Sequence, residues 1–246
     1  MKNLLRKYYR RIKIARKVNW YKTIYFNFKK LPFKIALKLP VFFYGKVKFT
    51  SIDGCIDIRG NIKTAMIGFG QNFDFPTTSG GTAELLLEGK LIFEDYAHIG
   101  KDFAISVKKG AVCKFGYMSC LGSRVKLVCT ESIEIGEWTG IGYESQVIDT
   151  NSHPMKNSLT NEYYPTSLPI KLGSYNAISN RVTIMQGCET PDNIVIASNS
   201  LCNKNYRNLG TQVLIGGIPA KLLKNDFIRD FENEKELLKK YKVINF

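Results

Sequence analysis

The first 52 residues contain no aspartate or glutamate, although fifteen lysines and arginines lie between Lys2 and Lys48. The other 21 basic residues match all 21 acidic ones, so the net charge of +15 belongs to the N-terminal segment. Nowhere is there the run of about 20 apolar residues that a membrane-spanning helix requires. No apolar core with a small-residue cleavage site follows the basic start, which argues against a secretory signal. Histidine is scarce: only His98 and His153 occur, too few for a three-histidine metal site within one chain. The six cysteines form no C-x-x-C pair, and Cys129, Cys188 and Cys202 occupy apolar positions of the pattern described next. Buried free thiols, no metal and a reducing compartment are therefore expected.

What is present is a six-residue beat. Leu172, Ile178, Ile184, Thr190, Ile196 and Cys202 mark it, and an earlier run from Leu87 through Phe93, Ile99, Ile105, Ala111, Tyr117, Ser123, Cys129, Ile135 and Ile141 to Val147 does the same. Helices repeat apolar positions every 3.6 residues and strands every two, so a period of six implies a short strand plus a turn, coiling repeatedly. Many rungs carry another apolar residue two positions earlier, as alternating strand side chains do. A small residue often follows the rung (Gly100, Gly136, Gly142, Gly173, Ala197), which suits a tight corner. The reading is an all-β solenoid.

The two runs do not share a frame. Counting in sixes from Val147 lands on His153 and then on Lys171, one position short of Leu172. Residues 148–171, IDTNSHPMKNSLTNEYYPTSLPIK, thus interrupt the coil, and long loops on rigid scaffolds tend to carry function. Pro154 holds His153 to extended backbone. His is the natural base near neutral pH. His98, by contrast, precedes a rung and is expected on the surface.

The ladder, the loop DTNSHPM, the segment RVTIMQGCETPDNIVIASNSLCNK and the close GGIPAKLLK together resemble the hexapeptide-repeat acyltransferases, in particular the O-acetyltransferases of sugars and cell-surface glycans. The resemblance spans about residues 60–224. It implies a left-handed parallel β-helix, acetyl-CoA as acyl donor, a sugar or glycan acceptor and a homotrimer with sites between subunits. His153 is then the general base, with Asp149 or Glu144 orienting it and Asp149 preferred. By position, Asn180 and Ser198 match residues lining the pantetheine arm. Asn203 and Lys204 match a Thr-Lys pair, and Lys221 and Lys224 match basic residues that take phosphates. Ala177 stands where relatives commonly place Trp, which weakens the expected acceptor-pocket wall. N-acetylation of an amino nucleotide sugar would use the same base and donor, and a non-enzymatic membrane-binding solenoid is the third reading.

The expected domains are a basic, aromatic-rich extension (1–50), the β-helix (51–224) with its loop at 148–171, and a C-terminal segment (225–246). That segment has near-helical spacing of Phe227, Phe231, Leu238 and Tyr241 and a cap at Asn225 or Asp226. A turn-rich excursion is expected over 69–81. Residues 1–45 suit an anionic membrane surface, a cap over the first coil or, less well, nucleic acid. The expected location is cytoplasmic, at the inner membrane face.

Overall fold

The computed structural model describes residues 15–71 and 80–241, with side chains through Glu236. Its parallel strands stack into three sheets that form the faces of a triangular coil. On the first face Ile99, Leu121, Ile141, Ile178, Ile196 and Ile215 are successive register partners. The second face stacks Leu85, Ile105, Leu127, Val147, Ile184 and Cys202. The third stacks Ile58, Phe93, Phe115, Ile135 and Leu172. All but Ile58 are buried, each contributing about 1.5–3 kcal/mol for a fully covered aliphatic or phenyl group.

The beat is less regular than the sequence suggests. Tyr117 is 38% exposed, because the rung there passes to Phe115 and Leu121. Extra residues at 108–111 shift the frame by four, and two more at 130–131 shift it by two. Together they restore the phase, so Ile135 and Ile141 fall back on the beat. Both insertions, and the long loop after Ile148, lie at the same edge, between the second and third faces.

The small residues after the rungs answer to coil stacking. A Cβ on Gly142 would come within 2.6 Å of the Asn180 backbone nitrogen, and one on Gly136 within 2.5 Å of the Gly173 carbonyl. The left-handed corner residue comes three positions after the rung, at Glu144, Tyr175, Arg181 and Asn199 (φ 56–60°). Polar residues stitch the corners from inside: Asn176, a polar residue where neighbouring repeats place Ile170, Val182, Cys188 and Ile194, is fully buried, donates to Thr190 Oγ1 at 2.7 Å and accepts from the Ile194 N–H at 3.0 Å.

The coil begins at Val41–Phe43, ten residues before the expected boundary, because this apolar strand pairs directly with Ile67–Phe69. Helix α1 (Trp20–Lys30) closes that end, and the short α2 (Phe33–Ala36) follows. The amide of Asn27 donates to the Val41 carbonyl at 2.6 Å and accepts from its N–H at 3.2 Å, while Thr23 Oγ1 accepts from the Phe43 N–H. These side chains satisfy the open edge as another strand would. Phe26 seats beneath them, its ring 5.0 Å from that of Phe43. At the far end Leu214–Gly217 pairs antiparallel with Ala220–Lys224 and closes the edge there.

Helix α3 (Phe231–Tyr241) starts later than expected. Asp230, not Asn225 or Asp226, accepts from the Asn233 N–H at 3.1 Å, and these bonds hold its carboxyl below the usual range. The side chains of Leu238 and Tyr241 lie outside the described residues, as does most of the excursion expected over 69–81. No helix among the described residues is long and apolar enough to cross a membrane.

Candidate active site

The three edges of the prism carry different things. The third-to-first edge is covered by the chain itself: Phe231 packs edge-on to Tyr175, ring centroids 5.6 Å apart, and the Lys235 ammonium lies over Trp138 and Tyr175. The other two edges hold the predicted site residues.

On the first-to-second edge, Asn180 and Ser198 occupy the same corner position in consecutive coils, and Ser198 Oγ donates to Asn180 Oδ1 at 2.7 Å. Gly142 lies one coil before Asn180, presenting backbone and no side chain. At the next corner beyond Ser198 the chain reverses through Gly217–Pro219, bringing Lys221 opposite Gly216 and Lys224 opposite Leu214. Both lysines are exposed, and the Lys224 ammonium sits 5.5 Å from the Phe227 ring centre. The result is a shallow shelf of backbone, amide and hydroxyl with Lys221 at its end, while Lys224 lies a strand length back across the first face.

The second-to-third edge carries the interrupting loop, whose stem is tied down closely. Asp149, 0% exposed, accepts from the Thr130 N–H (2.7 Å), the Thr130 hydroxyl (2.8 Å) and the Glu131 N–H (2.9 Å) one coil earlier. The Asp149 carbonyl accepts from the Leu168 N–H, and Thr150 pairs with Ser167 across the stem. Above the stem Met155–Lys156 and Tyr163–Tyr164 form a small hairpin. His153 sits just before it, exposed, with its imidazole in no hydrogen bond to a described residue.

Asp149 therefore anchors the interrupting loop, an arm that projects from this edge, and both its oxygens are engaged away from His153. Glu144 pairs instead with Arg124 at 2.8 Å, on the other edge. His98 also departs from expectation: it is 4% exposed, on a strand between Gly68 and Cys120. His153 is thus the one histidine open to solvent. Asn203 and Lys204, grouped by sequence with the donor residues, lie on the loop's edge, where the Lys204 carbonyl accepts from the Glu189 N–H.

Sequence reasoning did not single out the cleft of about 490 Å³ on the arm, lined by Asn157, Glu162, Tyr163 and Tyr164. The Tyr-Tyr pair in a polar loop was its signal. The thiols follow the reading for four of six: Cys113, Cys129, Cys188 and Cys202 are buried, while Cys55 is exposed and Cys120 half-buried. Burial pushes the Cys113 thiol well up. Among the described residues no group of three His, Cys, Asp or Glu is placed to hold a metal.

Several solved structures resemble this chain. The polySia specific acetyltransferase NeuO is 17% identical, with 81% of this chain and 97% of that one covered at a TM-score of 0.46. The polysialic acid O-acetyltransferase OatWY is 16% identical, covering 79% and 99% at 0.41. A variant of AntD, an N-acyltransferase from Bacillus cereus in complex with dTDP and coenzyme A, is 15% identical, covering 81% and 88% at 0.36. No family model and no curated protein sequence matches. The chain is a parallel β-helix by its own strand register.

Proposed function

We propose that the protein is a coenzyme A dependent acyltransferase of the left-handed β-helix type, moving an acetyl group from acetyl-CoA to a hydroxyl of a sugar or cell-surface glycan precursor. One observation carries this reading: the only solvent-open histidine and the Asn180–Ser198 shelf occupy opposite edges of the second face, while the third edge is covered by α3. A cyclic trimer joins the arm edge of one copy to the shelf edge of the next, a heterologous contact that closes after three steps. Each site then holds a base from one chain and a donor groove from its neighbour.

In such a site the shelf takes the pantetheine arm through backbone groups, Asn180 and Ser198, and Lys221 and Lys224 meet the phosphates. Asn203 and Lys204 come from the copy that supplies His153. A sugar hydroxyl is a weak nucleophile until its proton leaves. His153 Nδ1 or Nε2 takes that proton as the oxygen attacks the thioester carbonyl. The tetrahedral intermediate then collapses, the C–S bond breaks, and the imidazolium returns the proton to the departing thiolate. The ester and coenzyme A are the products. Asp149 acts as a positioning residue by fixing the arm. Tyr163 and Tyr164 line the acceptor's approach, where a sugar ring lays its C–H face on an aromatic one.

A mass-spectrometric screen of glycan and amino-sugar acceptors with acetyl-CoA tests the reading. An acetyl product cleaved by hydroxylamine identifies the ester; a resistant product is the amide of N-acetylation. No thiol release with any acceptor rejects the transferase.

A further inference from the structure

Helix α1 is apolar on two sides, and the coil uses only one. Thr23, Phe26 and Asn27 face the first coil and are buried. The opposite side turns Tyr21 (74% exposed), Ile24, Tyr25 and Phe28 to solvent, and α2 continues the patch with Phe33 (68%) and, just after it, Leu37. The rings are arranged against one another: Tyr21 stacks on Tyr25 at 6.2 Å, and Phe28 meets Phe33 edge-on at 5.9 Å. Exposed Arg16, Lys29, Lys34 and Lys38 border them, with no acidic residue anywhere before Asp53.

We propose that this face seats the protein on an anionic lipid surface. The rings and aliphatic groups suit the boundary between headgroups and acyl chains, and the basic border meets the phosphates. A second copy of the same face is disfavoured by charge, since pairing brings basic border against basic border with no carboxylate to offset it. Nucleic acid would satisfy the charge but offers no apolar layer for Ile24, Leu37 and the Phe28–Phe33 pair. The patch lies at the end of the coil, so the stack rises away from the surface. If the site proposed above is correct, the Asn180 coil stands five strand spacings from the first, about 24 Å at ~4.8 Å each. The acceptor it serves is then a glycan long enough to reach that height.

The test is flotation of the full-length protein, without substrate, on phosphatidylcholine vesicles with and without phosphatidylglycerol, at low and high salt. Wild type is expected to float with the anionic vesicles only and to be released by salt. A triple variant Tyr21→Ser, Tyr25→Ser, Phe28→Ser and a second, Lys29→Glu, Lys34→Glu, Lys38→Glu, are each expected to lose at least about tenfold in partitioning. Oligomer size should stay unchanged and the thermal midpoint should fall by no more than a few degrees, since these side chains are exposed and none belongs to the buried core. Equal flotation on uncharged vesicles, wild-type partitioning by either variant, or displacement of the vesicles by an oligonucleotide overturns the proposal. So does a change in oligomer size on aromatic replacement. Because no acetyl donor or acceptor is present, these outcomes are independent of whether the transferase reading stands.

Discussion

Ser198 Oγ donates a 2.7 Å hydrogen bond to Asn180 Oδ1 across two consecutive coils, fixing two polar side chains against each other on the first-to-second edge. The bond leaves the Asn180 NH2 and the second lone pairs of both oxygens for a ligand. Ser198→Val and Asn180→Leu are each expected to raise the KM for acetyl-CoA about tenfold, as losing one ordinary hydrogen bond of about 1–1.5 kcal/mol does. The kcat should change by less than about threefold. Initial-rate kinetics with varied acetyl-CoA check this.

Asp149→Ala removes the acceptor for two backbone N–H groups and the Thr130 hydroxyl. Stripping a buried charged acceptor from its donors costs about 2–3 kcal/mol, so the thermal midpoint falls by several degrees. Activity drops through misplacement of the arm, while the pH–rate profile keeps the wild-type inflection. An inflection that moves with unchanged stability would mean that Asp149 acts on His153 directly.

Much of this was legible in the sequence, for physical reasons that differ by residue. Rungs such as Ile178, Ile184 and Ile196 declared the coil because each buries one side chain per six residues. The break after Ile148 announced the arm because a frame shift cannot be absorbed inside a strand. The insertions at 108–111 and 130–131 stayed hidden because their lengths restore the beat, which is why Tyr117 was taken as a rung. The partners of Asp149 were not legible, since they come from a corner about twenty residues earlier. Nor was the separation of Asn203 and Lys204 from Asn180 and Ser198: adjacency on a coil depends on which edge a residue reaches, not on distance along the chain.

Gly142→Ala places a methyl 2.6 Å from the Asn180 backbone nitrogen, which no rotamer relieves. The expected cost is about 2–3 kcal/mol, the upper part of the range for overpacking. Gly110→Ala, where no atom lies within 4 Å but φ is +83°, should cost only about 1 kcal/mol. Urea unfolding of both variants separates stacking from backbone conformation.

Tyr206 is almost wholly buried, and burial pushes its phenol up to about 12, against about 10 in an unfolded chain. The folded state holds the proton more tightly, so the stability this contributes is fully present below pH about 10. It is lost as pH rises through about 12. Tyr206→Phe should flatten that alkaline decline relative to wild type, measured by thermal midpoints across the window.

The division of the site between copies is tested most directly by mixing two inactive variants. His153→Ala removes the base and should lower kcat by about 10²–10⁴-fold; Ser198→Trp fills the shelf and should abolish acetyl-CoA binding. Co-expressed in equal amounts and purified through two different tags, they form rings in which some sites pair an intact arm with an intact shelf. Activity should return to about a third of wild type, because every mixed trimer has one such pairing among its three sites. Mixed rings no more active than either variant alone would contradict a site shared between subunits.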